Sequence, residues 1–568
     1  MKLRRKFQPR WREDAPIQGS YRSIFKYSPD EFKHPSPAWV EMFKQEFNMT
    51  DADFLKREPG GDEEVAIDHE IKLSNDEINA FANMVGQENV ATDDYSRAKF
   101  SHGKSLDENI DLRRNIVRKA PDVVVHPRSK EDVREIVEYC NARKIAIYTY
   151  GGGSGVVLGI RPDKGGVALV MRTHMNKVLR VNEVNHTALV QPGAMGPDYE
   201  DALNNAPERF GSKRPYTCGH FPQSFELSSV GGWILALGSG QASTYYGDAS
   251  DIVLCQEYVT PAGIFKTLDI PGTATGPRVN DIMKGSEGAF GILVEATMKI
   301  FRYMPYNRQR FSFMFPKWKN AVEASREIVQ AEFGLPAVYR ISDPEETEIG
   351  LKLKGLGDGL LDRFLKARGF EPGKRSLCIG TVEGEKRFAR NVKRQVSKIA
   401  RKHGAMSLTG YVTRQWEHGR YSDIHMRDDL LDYGIILDTL ESGVTWENLH
   451  RLHQGVRSFA KQRPKTLCLT HASHFYPQGT NLYFIFVIKP DDPDEFFQFR
   501  SDIVDKILEN GGSISHHHGI GRIFAPWLET HLGKEQMHIL RAVKNHLDPN
   551  NIMNPGGQLA LDGLPKKG

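Results

Sequence analysis

Three consecutive histidines, His516, His517 and His518, sit between Gly511-Gly512 and Gly519-Ile520-Gly521. Neutral imidazole both donates and accepts hydrogen bonds and titrates near neutral pH, so a loop presenting three of them suggests proton-transfer chemistry. The run is internal and flanked by glycine turns, unlike a terminal tag or a surface metal scavenger. Arg427 offers a guanidinium that can hold a phosphate through paired N–H bonds; its plainer reading is a surface ion pair with Asp428 or Asp432. Tyr483 offers a phenol, or else a core aromatic ring. Gly151-Gly-Gly-Ser-Gly155 offers backbone N–H groups that can close around phosphate oxygens without side chains in the way. Taken alone that run is a weak signal, being neither a Walker A motif nor a GxGxxG with a helix behind it.

The elements around these residues would have to position them. A helix-like run, Asp494 to Glu509, stops at the Gly511-Gly512 pair, so the histidines fall on a loop. The glycine run follows a strand, Ile145 to Tyr148. Before it come a strand, Asp122 to Val125, and a helix opened by Ser129 and Asp132, with Val133, Ile136, Val137 and Cys140 at helical spacing. Val167–Val170 and His186–Val190 read as strands. Asp251–Val259 reads as a strand turning at Pro261-Ala-Gly263 into a hairpin. Further on, Ala337–Arg340, Leu377–Val382 and Leu482–Val487 read as strands between long helices, and alternation along the last can aim Tyr483 at a cofactor. Leu351 to Phe370 reads as an amphipathic helix, lying on a membrane or packed on its own domain, with Gly355, Gly357 and Gly359 weakening its start. Near the N-terminus, Ser74 and Glu77 form a capping box for a helix from Asn75 to Met84. No motif in residues 1–115 connects to chemistry.

Composition narrows the classes. A chain of 568 residues implies two or three domains. Hydrophobic content of 39% and charged content of 26% are those of an ordinary globular protein, and a net charge of +4 calls for no nucleic acid partner. The five cysteines are scattered and never in CxxC spacing, which argues for a reducing compartment and against a disulfide framework or thiolate zinc site. There is no apolar run long enough to span a bilayer. The basic segment Met1–Arg12 lacks the apolar core of a secretory signal, and Pro565-Lys-Lys-Gly568 is not a peroxisomal address of the Ser-Lys-Leu type. A cytoplasmic or peripheral-membrane location is expected.

The order Gly151–Gly155, Gln191-Pro-Gly193, Gly219 to Gly232, Gly285-Ser-Glu-Gly288 and Phe290-Gly291 resembles the PCMH-type FAD-binding domain of the vanillyl-alcohol-oxidase family. The resemblance implies an α+β fold: a two-subdomain FAD-binding domain, an α+β cap domain with an antiparallel sheet, and a helical N-terminal extension. The expected boundaries are 1–115 for the extension, 116–302 for the FAD domain, 303–540 for the cap and 541–568 for a tail returning to the FAD domain. It also implies non-covalent FAD. Thr149, Tyr150, Gly151, Gly152, Gly153, Ser154 and Gly155 would take the pyrophosphate; His220, Gln223, Ser224, Ser228, Ser229, Ala236, Ser239, Glu287, Gly288, Gly291 and Ile292 would line the rest. Relatives often carry Gly-Thr-Ser where this chain has Gly153-Ser154-Gly155, which removes one hydroxyl but leaves the backbone argument intact. For His220 a structural role is the competing reading.

Within the cap, Met426-Arg-Asp-Asp-Leu-Leu-Asp-Tyr-Gly434, Thr439-Leu-Glu-Ser442, Thr470 to Phe484 and Ser515 to Gly521, with Gly219-His220-x-Pro222-x-Ser224, resemble the alkyl-dihydroxyacetone-phosphate synthase family. That resemblance implies an exchange in ether-lipid synthesis with no net redox work. Flavin N5 holds the dihydroxyacetone phosphate carbon while a fatty acid leaves and a fatty alcohol enters. Tyr483 would abstract a proton, His516, His517 and His518 would serve as acid and base, and Arg427 would bind phosphate. A lipid-like phosphorylated substrate, a homodimer and peripheral membrane contact follow as expectations. The alternative is an FAD-linked D-2-hydroxy-acid dehydrogenase, whose cap typically binds a divalent metal. His474 matches the first ligand there, but Tyr483 replaces a second and His517 replaces the carboxylate, so no metal is expected.

Overall fold

Val123–Val125, Val167–Val170 and Ile147–Tyr150 form the parallel part of a four-stranded sheet. Parallel strands are covered on both faces, which is why Val123–Val125 and Val167–Val170 are apolar throughout, while Ile147–Tyr150 carries Tyr and Thr towards the glycine run. In the computed structural model, residues 7–28, 30–55, 60–357 and 359–562 are described. The expectation for Pro565 to Gly568 and the first six residues of the basic N-terminus lie outside them. The helix Lys130–Arg143 is capped by Ser129, whose hydroxyl accepts from the Asp132 N–H, and it buries Val133, Ile136, Val137 and Cys140. Its end shifts the next strand. Lys144 turns left-handed (φ 58°) and the Ile145 N–H returns to the Cys140 carbonyl, so the strand runs Ile147–Tyr150 and not Ile145–Tyr148. The glycine run follows directly.

A second, five-stranded antiparallel sheet has the order Val178–Asn182, Thr187–Val190, Ile292–Lys299, Val253–Thr260, Gly263–Lys266. Two additions come from far away in the chain. Val90–Ala91 pairs with Val124 and Val125 as an edge strand, and the tail bonds Ile147 through the Ile552 carbonyl and the Asn554 N–H. The N-terminal region thus completes the first sheet instead of merely packing beside it.

The cap is a seven-stranded antiparallel sheet in the order Met406–Ser407, Gln309–Phe315, Ser376–Val382, Val338–Ser342, Thr466–Tyr476, Gly479–Ile488, Ile436–Thr445. Helices Trp318–Gln330, Lys386–Lys402, Leu449–Ala460 and Glu495–Glu509 pack with it. The single amphipathic helix expected over Leu351–Phe370 is two helices, Pro344–Leu353 and Leu360–Ala367. Gly355 has φ +69°, a left-handed turn that ends the first of them. Leu365 and Phe370 are buried against Met314, while Phe364 and Leu356 are exposed. Among the described residues no helix is long and apolar enough to cross a membrane.

Candidate functional site

The histidine loop is shaped by one carboxylate. Helix Glu495–Glu509 ends, Gly511 turns left-handed (φ +77°), and Ser513 ties to Gly443 through both its N–H and its hydroxyl. Glu441, buried on the strand Ile436–Thr445, then accepts the backbone N–H of His516 at 2.5 Å, of His517 at 3.0 Å and of His518 at 2.9 Å, and the Ser515 hydroxyl at 2.8 Å. Charge-assisted bonds of this kind are about twice as strong as neutral ones, so Glu441 sets the loop's path and the direction of its rings. Among the described residues Glu441, His516 and His517 also form a group close enough to share a cation. The carboxylate's oxygens already face four donors, however.

Tyr483 lies on the strand Gly479–Ile488, opposite Glu441 on one side and His471 on the other. Its ring stacks on His471 with centroids 5.0 Å apart and on His517 at 5.9 Å, and meets His518 edge-on at 5.6 Å. Its hydroxyl donates to Thr439 Oγ1 at 3.1 Å. Burial pushes the phenol's pKa up, and burial together with the neighbouring imidazoles pushes His517 well down, so both are neutral near pH 7. Behind His471 stands Glu346, 3.1 Å away and paired with Arg340 at 2.6 Å. Burial opposes the charge on Glu346, but Arg340 and His471 outweigh it and hold the carboxyl well below the usual range.

A second set of partners, of which the sequence marks only His474, lies where the cap strand Thr466–Tyr476 meets the FAD domain. Tyr476 donates its hydroxyl proton to Asp248 Oδ2 at 2.5 Å and lies 2.8 Å from His516 Nε2. His516 Nδ1 is 3.0 Å from His517 Nδ1. His474, 4.9 Å from the His517 ring, has its Nδ1 2.7 Å from the Ser243 hydroxyl. The expected catalytic residues are therefore brought together, with Glu441, His471, His474, Tyr476 and Asp248 around them.

Arg427 is on the helix Ile424–Leu431, and it is buried. The surface ion pair is overturned. Asp428 lies 3.9 Å away and is claimed by the Asn109 amide at 2.8 Å and the Tyr27 N–H at 3.1 Å; Asp432 is held by Arg22 and Arg113. Arg427 Nε and Nη2 are buried without a hydrogen-bond partner, and the guanidinium carbon sits 5.0 Å over the Tyr27 ring. Lys104 lies nearby, its ammonium pKa pushed down to about 8 chiefly by burial. Arg427 and Tyr483 both feel Tyr27 and Asp438.

The glycine run fits a dinucleotide. The N–H groups of Gly151 to Gly155 make no backbone hydrogen bond among the described residues. A Cβ on Gly151 would strike the Ser229 hydroxyl, on Gly152 the Leu227 carbonyl and on Gly153 the Tyr150 hydroxyl, while Gly155 faces open space. Thr149 and Tyr150 end the preceding strand, and Ser154 completes the run. Elsewhere many of the expected polar side chains are already engaged. The Ser228 hydroxyl accepts from Trp233 Nε1, Ser229 caps the helix Val230–Leu235, and Gln223 is bonded to Arg420 and Gln241. Glu287 accepts the N–H groups of Ile520 and Gly521 at 2.6 and 2.8 Å and the Gln558 amide. What these positions can offer a cofactor is mainly backbone. Ala236 ends the Val230–Leu235 helix, Ser224 precedes the turn Phe225–Leu227, Ser239 is buried beyond the helix, and Gly288, Gly291 and Ile292 lead into the strand Ile292–Lys299. His220 packs tilted against Trp233, ring centroids 4.7 Å apart, with neither ring nitrogen bonded, and burial lowers its pKa to about 4.

The missed residues left little trace in the sequence. Glu441 lies 74 positions from Ser515, and Asp248 lies 228 positions from Tyr476. The patch Thr439-Leu-Glu-Ser442 marks the first of those stretches.

Residues 121–269 match the family model "FAD binding domain" and residues 304–557 the model "FAD linked oxidases, C-terminal domain". An alkyldihydroxyacetonephosphate synthase from Dictyostelium discoideum is 33% identical over 483 residues, 82% of this chain and 77% of that protein. A solved alkyldihydroxyacetonephosphate synthase structure superposes with a TM-score of 0.77 at 28% identity, covering 91% of this chain and 92% of that one. The glycolate oxidase subunit GlcD of Bacillus subtilis is 25% identical over 78% of this chain and 90% of its own.

Proposed function

We propose, from the premise that the chain belongs to the alkyldihydroxyacetonephosphate synthase family, that it is an FAD-dependent enzyme exchanging the acyl group of an acyl-dihydroxyacetone phosphate for a fatty alcohol. FAD, when bound, supplies an electron-pair donor that holds the substrate carbon through the exchange with no net redox change. Gly151 to Gly155 receive its pyrophosphate on their N–H groups, and the segments around His220, Ser224–Ser239 and Glu287–Ile292 line its ring without a covalent link.

The remaining chemistry falls to the cap. Arg427 takes the substrate phosphate on Nε and Nη2. Tyr483 serves the proton of the substrate carbon; burial keeps it a phenol near pH 7, so it takes that proton only as its own leaves along the hydrogen bond to the Thr439 hydroxyl. The histidine loop handles the protons of the leaving acid and the entering alcohol. The observation that carries this reading is the Arg427 guanidinium, buried with two nitrogens that lack a hydrogen-bond partner and sharing Tyr27 and Asp438 as neighbours with Tyr483. An enzyme acting on lactate or glycolate has no phosphate to place there.

The test is direct. Incubated with palmitoyl-dihydroxyacetone phosphate and labelled hexadecanol, the purified flavoprotein is expected to form the ether without reducing a dye acceptor. Dye bleaching by D-lactate or glycolate, with no ether formed, would overturn the reading in favour of a hydroxy-acid dehydrogenase. Acid precipitation should release all of the flavin, as a non-covalent cofactor requires. A homodimer touching the membrane from one side completes the proposal, and sedimentation with and without vesicles measures both properties.

A further inference from the structure

The strand Thr466–Tyr476 changes face just where the histidine loop meets it. Its pairing with Gly479–Ile488 runs in register to Ser473↔Asn481 and resumes at Tyr476↔Gly479, one residue longer on its own side. His474, at the break, has φ +55°, which a non-glycine residue adopts only under constraint. Regular alternation would put His471, Ser473 and Phe475 on one face. The bulge instead sends Phe475 into the core against Tyr339 and Trp446, and turns His474 and Tyr476 towards His516 and His517. Bulges re-aim side chains in this way, often next to active sites.

Tyr476, once re-aimed, spans the two domains. Asp248 ionises below the usual carboxylate range, because His474 and His516 outweigh its burial. An ionised carboxylate can only accept, so the Tyr476 hydroxyl proton points at Asp248 Oδ2, and the Tyr476 oxygen must accept from His516 Nε2–H. In the neutral pair His516 Nδ1 then carries the lone pair, and His517 must fill the 3.0 Å gap with its own Nδ1–H. His517 Nε2 is left without a proton.

We propose that Asp248 and Tyr476 are positioning residues that fix the tautomers of His516 and His517, so that His517 Nε2 stands ready to take the proton of the entering alcohol. This rests on the proposed exchange. The alcohol O–H bond breaks, an Nε2–H bond forms on His517, and the oxygen's electron pair makes the new C–O bond. The fatty acid has left as its carboxylate, and the proton passes to water as the site reopens. The charge left on the imidazole pair is offset by Asp248 through Tyr476. Other groups face the pair: His471, His474, His518 and Glu441 around His517, and Asp251 near Tyr476, with His220 within reach of His474.

Asp248→Asn tests the direction of the chain. An amide can donate to the Tyr476 oxygen, which turns the Tyr476 proton onto His516 Nε2 and leaves the His517 proton on Nε2. Tyr476→Phe cuts the chain without reversing it. Both variants should keep the flavin spectrum of the wild type and lose roughly 10²-fold in kcat, the scale of one acid–base contribution. In Asp248→Asn the acidic limb of the kcat–pH profile should also move down by about one unit, because a nearby anion that stabilised the imidazolium is gone. Histidine-labelled holoenzyme gives a readout independent of turnover: nitrogen NMR should find His517 protonated at Nδ1 in the wild type and at Nε2 in Asp248→Asn. An unmoved limb with unchanged tautomers would overturn the proposal. Absence of ether product from the wild type would instead sink the proposed exchange, and the tautomer readout would still decide the relay.

Discussion

A buried guanidinium without hydrogen-bond acceptors costs stability, and proteins keep such groups where a ligand completes them. Arg427 is in that position: Asp428, 3.9 Å away, is bonded to Tyr27 and Asn109, and Asp432 to Arg22 and Arg113. Arg427→Met should therefore separate stability from function. The thermal midpoint of the substrate-free enzyme should hold or rise, while kcat/KM for the phosphorylated substrate falls roughly 10²-fold or more, as expected when a charged partner of a bound phosphate is removed. A fall in both would mean that the guanidinium is structural. Tyr483 poses the opposite case. Its hydroxyl makes one bond, to Thr439, so Tyr483→Phe should cost only about 1 kcal/mol of stability. Ether formation should still drop by roughly 10²- to 10⁴-fold, the range of a lost acid–base group. Unfolding curves and initial rates on the same preparations check both halves.

At the scale of elements, the histidine loop hangs between two carboxylates from different domains. Glu441 holds its beginning through three N–H bonds and one hydroxyl. Glu441→Gln replaces one accepting oxygen by a donor facing the His516 N–H or its neighbours, so about 2–3 kcal/mol of stability should be lost. Imidazole chemistry should suffer with it. Glu287 holds the end of the loop at Ile520 and Gly521, and burial pushes its pKa up to about 7. The raised value means that the folded chain binds a proton the unfolded chain has released. The stabilisation is fully present below the ordinary carboxylate range, near pH 4.5, and is lost as pH rises through about 7. Glu287→Gln, which cannot ionise, should gain on the wild type as pH is raised from 5 to 8; a constant difference in melting temperature across that window would count against a buried titrating Glu287. These anchors also mark the limit of what the chain discloses by itself. The strands Val167–Val170 and Gly479–Ile488 and the helix Glu495–Glu509 could be read locally, because burial writes itself into hydrophobic period and glycine stops. The pairings Glu441–Ser515 and Asp248–Tyr476 depend on strand register and domain docking, which no local pattern encodes. Over Leu351–Phe370 the leucines keep helical spacing across Gly355, where the backbone turns left-handed and separates two helices.

Across the whole molecule, the N-terminal region carries no recognisable motif yet reaches the helix Ile424–Leu431 of the cap. Arg22, fully buried, holds both oxygens of Asp432, Arg113 meets the same carboxylate, Lys26 pairs with Asp429, and Asn109 bonds Asp428. All three aspartates share the helix Ile424–Leu431, or its C-cap, with Arg427, and Tyr27 from the same region lies under the guanidinium. The region that supplies an edge strand to the FAD domain therefore also fixes the helix that presents Arg427 from the cap. Arg22→Met leaves Asp432 to Arg113 alone and should cost about 3 kcal/mol, the lower end for breaking a buried ion pair. If the region works as a clamp, its loosening should show first in the phosphate. KM for the acyl-dihydroxyacetone phosphate should rise several-fold, with KM for the alcohol and kcat little changed, because the histidine loop is held from elsewhere by Glu441 and Glu287. A rise in both KM values together with a fall in kcat would mean that Arg22 supports the fold as a whole and has no particular hold on Arg427.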